Sequence, residues 1–474
     1  MKLKDNKVLL VGLGVLGGGE ALAKFLIKQG AKLTITDIKN KEVLGPVVRR
    51  IGHKKADFVL GKHRKVDFKK NDIIVFNPSV GIFSPWVALA KKNKKRVEND
   101  LTLFLAVLDN KKPGKNYIAV TGTRGKTTTT TWVNHFLEGS VAGGNIPSRG
   151  LFQVIDKKNT PLVLELSSFQ LEFMQKNLAG PHVAIITNMH IDHLNRHRTF
   201  KNYLRTKTKI FLNQTKNDFL ILNADNVHTK EIVNYKPKSK IYYFSLKRLS
   251  RNKSGLFLDH SDIYFQEKGM KKNICPMPYF AKHQRSNLLA SLLGSYLYRR
   301  NWSELIGKIK SLPPVPFRQQ VVYNHKGLEI INDTAATSPD AAIAALESFE
   351  KTGKRIILVT GGTDKNLEFK ELAAKIKRSI KKEDLFFIEG SATIKMIQDL
   401  KNIGYFKGER VHVFPSLQEI FGAIPWEKID SSIILFSPAS ASFEKFKNEF
   451  DRGRVFNGLV KKMKIHGGRR AFSK

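Results

Sequence analysis

One pattern recurs along the chain: a short apolar run, a turn rich in glycine or polar residues, then a stretch with apolar positions at helical spacing. The first run is Val8-Leu9-Leu10-Val11. Unbroken apolar runs of this length read as strands buried on both faces, as in parallel sheets; half-exposed strands alternate instead. Residues 7–11 are therefore expected as a strand, 12–19 as a turn and 20–29 as a helix ended by Gly30. A second strand at 32–36 closes on Asp37. Strand, helix and strand in this order make a βαβ unit of the doubly wound type. Residues 73–76 form a further strand, ending in Asn77-Pro78-Ser79-Val80-Gly81.

The pattern restarts at 117–121 and continues with strands at 162–166, 183–187 and 219–223. A patchier β-like stretch covers 240–274, and a helix covers 285–298. It restarts again with strands at 328–331, 355–360, 385–388 and 433–436. Breaker-rich segments near 109–114 and 311–316 separate the three stretches. The expectation is an α/β chain of three domains, 1–112, 113–313 and 314–474, with mostly parallel sheets. A length of 474 residues agrees, being too great for one ordinary core.

Composition narrows the class. Apolar residues make up 41%, enough for real cores. No run approaches the roughly 18 apolar residues of a membrane-spanning helix, so no membrane insertion is expected. The short polar start, running straight into a strand, is not read as a signal peptide. A single cysteine, Cys275, rules out a disulfide within the chain and a zinc site built of cysteines, and is read as structural. The net charge is +41, but the lysines are spread along the whole chain, with no basic tail. That spread points to a lysine-rich overall composition and not to a nucleic-acid partner. The positive field would still draw in an anionic substrate or nucleotide.

The sharpest chemical signal is Val120-Thr121-Gly122-Thr123-Arg124-Gly125-Lys126-Thr127-Thr128, between an expected strand and an expected helix. Glycines there let backbone N–H groups turn inward onto phosphate oxygens, and the helix start adds a favourable dipole. Lys126 can reach the β- and γ-phosphates, and the Thr127 hydroxyl can ligate Mg²⁺. The spacing Gly-x-x-Gly-Lys-Thr is shorter than the usual phosphate loop. Gly12-x-Gly14-x-x-Gly17, with Asp37 at the next strand end, looks like a dinucleotide fingerprint, but such a turn also serves other nucleotides or merely tightens the chain. An oxidoreductase reading would leave the Gly122–Lys126 loop without a purpose.

Further polar groups fall at strand ends, where ligands collect in open α/β sheets. Glu165, in Glu165-Leu166-Ser167-Ser168-Phe169-Gln170, can hold a divalent metal beside the loop. Asp192-His193 follows another strand end, and Lys207 sits on an expected helix. In the third stretch, Asn332-Asp333-Thr334, Thr360-Gly361-Gly362-Thr363-Asp364-Lys365 and Phe436-Ser437-Pro438-Ala439-Ser440-Ala441-Ser442 each follow a strand. Turn chemistry alone could explain one such cluster; three of them suggest one crevice.

Together these residues resemble the Mur ligases of peptidoglycan synthesis over almost the whole chain. The motifs that carry the resemblance are the Gly122 to Thr128 loop, Glu165-Leu-Ser-Ser-Phe-Gln-Leu-Glu172, Asn332-Asp-Thr334 and Ser437-Pro-Ala-Ser-Ala-Ser-Phe443. The Glu165 to Glu172 string is most similar to the branch that adds glutamate to UDP-N-acetylmuramoyl-L-alanine. The resemblance implies a Rossmann-like first domain for the UDP sugar, a central ATP-binding domain and a Rossmann-like third domain for the amino acid. It implies an ATP-dependent cytoplasmic ligase that passes through an acyl phosphate, works as a monomer and serves cell-wall growth, shape and division.

It also implies roles by position. Gly122, Thr123, Arg124, Gly125, Lys126, Thr127 and Thr128 would hold the ATP phosphates, with Asn287, Arg318 and Asp333 as further nucleotide contacts. Thr127, Glu165 and His193 would hold Mg²⁺. Lys207 would join them once carbamylated, since a carbamate turns a cation into an anionic ligand. Lys126, His193 and Lys207 would carry the catalysis. Asp37, Asn145, Thr337, Lys365 and Ser442 would contact the two substrates. The chain departs from the family in three places. Ala335 replaces a lysine that helps hold the glutamate carboxylate, so Lys365 is left to supply that charge and the stereochemistry of the glutamate stays open. Pro147 closes the segment Gly144-Asn145-Ile146-Pro147 where the family has glycine, and Gln284 follows His283 where it has asparagine. A ligase adding L-glutamate, a folylpolyglutamate-synthase-like ligase and a non-catalytic nucleotide-binding protein are the competing readings.

Overall fold

The computed structural model describes residues 3–15, 17–111, 117–146, 149–157, 160–278, 282–462, 464–466 and 469–471. Pro147, the His283 side chain and residues 112–114 of the expected linker lie outside what is described. The chain forms two compact units, 1–313 and 314–474. Among the described residues no helix is long and apolar enough to cross a membrane.

The first unit holds two sheets. One contains β1 (Lys7–Val11), β2 (Lys32–Asp37), β3 (Asp57–Leu60), β4 (Ile73–Phe76) and β5 (Arg96–Asn99) in the order β3-β2-β1-β4-β5. All its pairs are parallel. Strand order reverses between β1 and β4, and a crevice opens at such a point beyond the strand ends. The turn after β1 and the loop after β4 are its two walls.

The second sheet contains β6 (Tyr117–Thr121), β7 (Val141–Gly144), β8 (Leu162–Glu165), β9 (Val183–Ile186), β10 (Phe219–Asn223), β11 (Lys240–Ser245), β12 (Gly255–Asp259), β13 (Asp262–Glu267) and β14 (Met270–Pro276). The order is β14-β13-β12-β11-β10-β9-β6-β8-β7. It is parallel up to β12 and ends in an antiparallel meander. Strand β6 lies between β8 and β9, so the ends of β6, β8 and β9 come together at a second reversal. One hydrophobic core joins the two sheets, running from Val8 and Ile35 through Phe104 and Phe152 to Tyr117 and Leu222.

The second unit contains β15 (Gln320–His325), β16 (Leu328–Asn332), β17 (Arg355–Thr360), β18 (Leu385–Ile388), β19 (His412–Phe414) and β20 (Ser432–Phe436), ordered β15-β16-β20-β17-β18-β19. Within this sheet only the β15–β16 pair is antiparallel. Separate apolar clusters cover its two faces. The fold is thus mostly parallel α/β, as the apolar runs indicate.

Candidate active site

In the first sheet the glycine turn after β1 is held from inside. Asp37 Oδ2 accepts from the N–H groups of Leu13 (2.8 Å) and Gly14 (3.0 Å), and Oδ1 accepts from Lys39 N–H (2.9 Å). Asp37 is 5% exposed. Its carboxylate therefore shapes the turn, and sequence alone does not distinguish that from a ribose contact.

The loop after β6 is more tightly built. Gly122 is at φ +143, and a Cβ there would lie 2.0 Å from Thr187 Oγ1. Gly125 is left-handed at φ +77, with Asn287 Oδ1 only 2.3 Å from where its Cβ would stand. Glycine is required at both positions. The neighbouring strand end clasps the loop backbone. Thr123 N–H donates to the Asn188 carbonyl (3.0 Å) and Arg124 N–H to Asn188 Oδ1 (3.0 Å). The Arg124 carbonyl accepts from Thr187 Oγ1 (2.5 Å) and Asn188 Nδ2 (3.1 Å). Thr123 Oγ1 lies 3.2 Å from the Tyr203 hydroxyl. Gly125 caps the helix Lys126–Phe136, in which Thr127 and Thr128 are buried. Lys126 Nζ curls back to the Thr123 carbonyl at 3.0 Å.

Two ionisable groups lie beside this loop. Glu165, at the end of β8, is 2% exposed. Its Oε1 accepts from Asn145 Nδ2 (3.1 Å), whereas Oε2 is buried without a hydrogen-bond partner among the described residues. A buried carboxylate oxygen left unpaired is costly and fits a bound cation. No group of three His, Cys, Asp or Glu side chains able to hold a metal occurs among the described residues. Magnesium does not need one, because it typically takes one or two carboxylates plus substrate phosphates and water. Lys207 is 2% exposed and donates to Thr121 Oγ1 at 3.2 Å. Burial pushes its pKa well below the ordinary lysine value and Lys126 pushes it further, while Asp192 and Glu165 oppose this. His193, left-handed at φ 53, packs edge-on against Phe169 at 5.0 Å and lies 3.6 Å from Asp192 Oδ2.

In the second unit the three polar clusters do converge. Ser437 Oγ donates to Asp333 Oδ2 (2.9 Å), and Gln319 N–H donates to Oδ1 (3.1 Å). Thr363 and Ala441 form an isolated bridge, and Gly361 N–H donates to the Pro438 carbonyl (3.0 Å). Lys365 Nζ lies 3.5 Å from Thr337 Oγ1. Ser442 Oγ is buried without a partner among the described residues. Sequence reading gave no role to Arg452, which is fully buried. Its guanidinium holds Thr334 Oγ1 and the carbonyls of Thr334, Ser440 and Ala441 at 2.9–3.0 Å, tying two clusters together. Arg318 lies in the short segment before β15, close enough to Asp333 to lower its pKa.

Burial raises the pKa of Asp333 to about 7, against the lowering effect of Ser437, the Gln319 N–H and Arg318. The unfolded value is about 3.9. Between these values the folded state holds a proton that the unfolded state has lost, so stability falls as pH rises through that window. Asp333→Asn should flatten this fall. Melting of the wild type and the variant from about pH 5 to about pH 8 measures it.

A glycine loop, a lysine and a metal-ready carboxylate at the head of a parallel sheet define a nucleotide-using α/β enzyme. Comparison with known proteins makes the class specific. The Mur ligase middle domain matches residues 120–294, and the Mur ligase glutamate ligase domain matches 317–440. The UDP-N-acetylmuramoylalanine–D-glutamate ligase of Borreliella afzelii is 36% identical, covering 97% of this chain and 98% of that protein. The protein of the same name from Roseiflexus sp. is 32% identical, covering 97% and 99%. Two solved structures share the fold. The MurC ligase of Thermotoga maritima has a TM-score of 0.59 at 20% identity, over 96% of this chain and 99% of its own. The MurF ligase of Thermotoga maritima, in complex with ADP, has a TM-score of 0.56 at 17% identity, over 91% and 95%. The chain belongs to the Mur ligase family, a family of ATP-dependent ligases.

Proposed function

We propose that the enzyme joins D-glutamate to UDP-N-acetylmuramoyl-L-alanine at the expense of ATP. The observation that carries the reading is the loop from Gly122 to Lys126 beside the unpaired Glu165 oxygen. The near full-length relatives named for this reaction support it.

The L-alanyl carboxylate attacks the γ-phosphorus and ADP leaves, giving an acyl phosphate. The glutamate amine then attacks the acyl carbon, loses a proton and expels phosphate. No protein nucleophile is needed, so the work is positioning and charge stabilisation. Lys126 and the N–H groups from Gly122 to Thr128 hold the phosphates. Thr127, Glu165, His193 and a carbamylated Lys207 would hold Mg²⁺, which when bound neutralises phosphate charge. Asn287 supports the nucleotide loop through Gly125, and the family likeness suggests Arg318 and Asp333 as further nucleotide contacts. Asn145 orients Glu165 and meets the UDP substrate. Asp37 serves the uridine end by fixing the glycine turn. Thr337, Lys365 and Ser442 take the glutamate, with Lys365 supplying the cation missing at Ala335. Dependence on ATP and a UDP-linked precursor supports a cytoplasmic place in peptidoglycan synthesis.

The test supplies ATP, Mg²⁺ and UDP-N-acetylmuramoyl-L-alanine, then D- or L-glutamate, and follows phosphate. Release is expected with D-glutamate and not when any component is omitted. Faster turnover with L-glutamate would reverse the stereochemical part, and no release with either would overturn the whole.

A further inference from the structure

The last residue of the Glu165 to Glu172 string has no part in the chemistry above, yet it is 3% exposed and tightly engaged. Glu172 Oε1 accepts from Arg196 Nε (2.9 Å), and Oε2 accepts from Arg196 NH2 (2.8 Å). This fork-to-fork pair does not end on itself. Arg196 NH2 also donates to the Pro78 carbonyl (2.9 Å), and NH1 donates to the Ser79 carbonyl (2.7 Å). Glu172 Oε2 in turn accepts from Ile82 N–H (3.3 Å). One ion pair thus grips three backbone groups of the loop after β4. A Cβ on Gly81 would stand 3.2 Å from the Arg196 guanidinium carbon, so the loop passes tight against it.

The segment that carries Arg196 is itself held in an uncommon shape. The helix Leu194–His197 is bracketed by two non-glycine residues in left-handed conformation, His193 at φ 53 and Arg198 at φ 68. Backbone strain of this kind persists where the surroundings enforce it, and it gathers at functional sites. Arg198 places its guanidinium 4.2 Å from the Phe83 ring, adding a second hold on the same loop. Lys209 Nζ donates to the Glu172 carbonyl at 2.6 Å, and His197 Nδ1 lies 3.5 Å from Glu172 Oε1.

The gripped loop is one wall of the crevice at the β1–β4 reversal, and a Cβ on Gly12 of the opposite wall would lie 2.9 Å from Asn77 Cβ. We infer that Arg196 and Glu172 are positioning residues that set this wall in register with the phosphate loop, and so fix where the UDP-linked substrate sits. The inference rests on the proposed function for the identity of that ligand. Neither residue touches the backbone of Gly122 to Lys126 in any hydrogen bond described above. The pair should therefore govern one substrate and not the other.

Arg196→Met, Glu172→Gln and the milder Gly81→Ala separate the possibilities. Calorimetry gives affinities for UDP-N-acetylmuramoyl-L-alanine and for a non-hydrolysable ATP analogue; steady-state kinetics gives KM and kcat. UDP-substrate binding should weaken about tenfold or more in each variant, with ATP-analogue binding within about twofold and saturated kcat within about threefold. The double variant Arg196→Met/Glu172→Met should lose no more than Arg196→Met, because the two residues act as one unit. ATP-analogue binding doubles as the control that the second sheet is folded. Equal weakening toward both ligands, or toward neither, would overturn the inference. A wild type that does not bind the UDP substrate would instead overturn the proposed function itself.

Discussion

Lys126→Ala should reduce ATP-dependent phosphate release by at least about 10³-fold, the largest effect expected of a single substitution here. Lys126 is one of two cations in the loop, with Arg124, and stands on the first residue of the helix Lys126–Phe136. Its Nζ rests on the Thr123 carbonyl, a placement from which it can turn to a phosphate without disturbing the backbone. The loop geometry is set by Thr187, Asn188 and the two required glycines, none of which depends on the lysine side chain. The variant should therefore fold and melt like the wild type while losing transition-state stabilisation. Phosphate release at saturating ATP, measured beside thermal unfolding, checks both halves. Turnover within about tenfold of wild type would remove Lys126 from the chemistry.

The second large effect concerns Lys207. Burial holds the Lys207 amine well below the usual lysine range, which favours its neutral, nucleophilic form more than in an exposed lysine. Its lone pair can add to CO₂: an N–C bond forms as one C=O π bond opens to an oxyanion, the nitrogen gives a proton to solvent, and the side chain changes from base to carboxylate-like ligand. The proximity of Lys126 and of a bound cation would then favour the anionic product, whereas burial disfavours the ammonium form. Removal of CO₂ and bicarbonate should lower turnover, and bicarbonate should restore it. Lys207→Met should lower turnover by roughly 10²-fold and make it indifferent to bicarbonate. Labelled bicarbonate followed by carbon NMR should show a carbamate carbon in the wild type only. Turnover that ignores CO₂ removal would count against the carbamate.

The sheet centres were legible because burial on both faces leaves a continuous apolar run. Lys7–Val11, Ile73–Phe76, Tyr117–Thr121, Phe219–Asn223, Arg355–Thr360 and Leu385–Ile388 stand where the runs stand. The strands missed are edges and near-edges. Asp57–Leu60, Arg96–Asn99, Val141–Gly144, Gln320–His325 and His412–Phe414 carry charges, glycines or exposed positions, because an edge has less neighbouring structure to bury it. The polar clusters at strand ends were legible for a related reason: the groups that begin at Glu165, Asn332 and Thr360 break off apolar runs. Residues that act by gripping backbone were not. Thr187 and Asn188 look like an ordinary strand exit, Arg196 looks like one cation among many, and Arg452 hides in an amphipathic helix. Their targets are carbonyls and N–H groups, which leave no mark in the side-chain pattern. Asp37 shows the converse: a carboxylate in the right place for a sugar contact is engaged with the turn beneath it.

The core shared by the first two sheets has a mechanical consequence. Sliding one sheet on the other would expose the apolar surface around Phe104, Phe152 and Tyr117, at about 25 cal/mol for every Å² wetted. The two crevices of the first unit are thus machined into one block, like the jaws and anvil of a jig. Under the proposed function, a substrate of the wrong length would find no swivel between them to bring it to the phosphate loop.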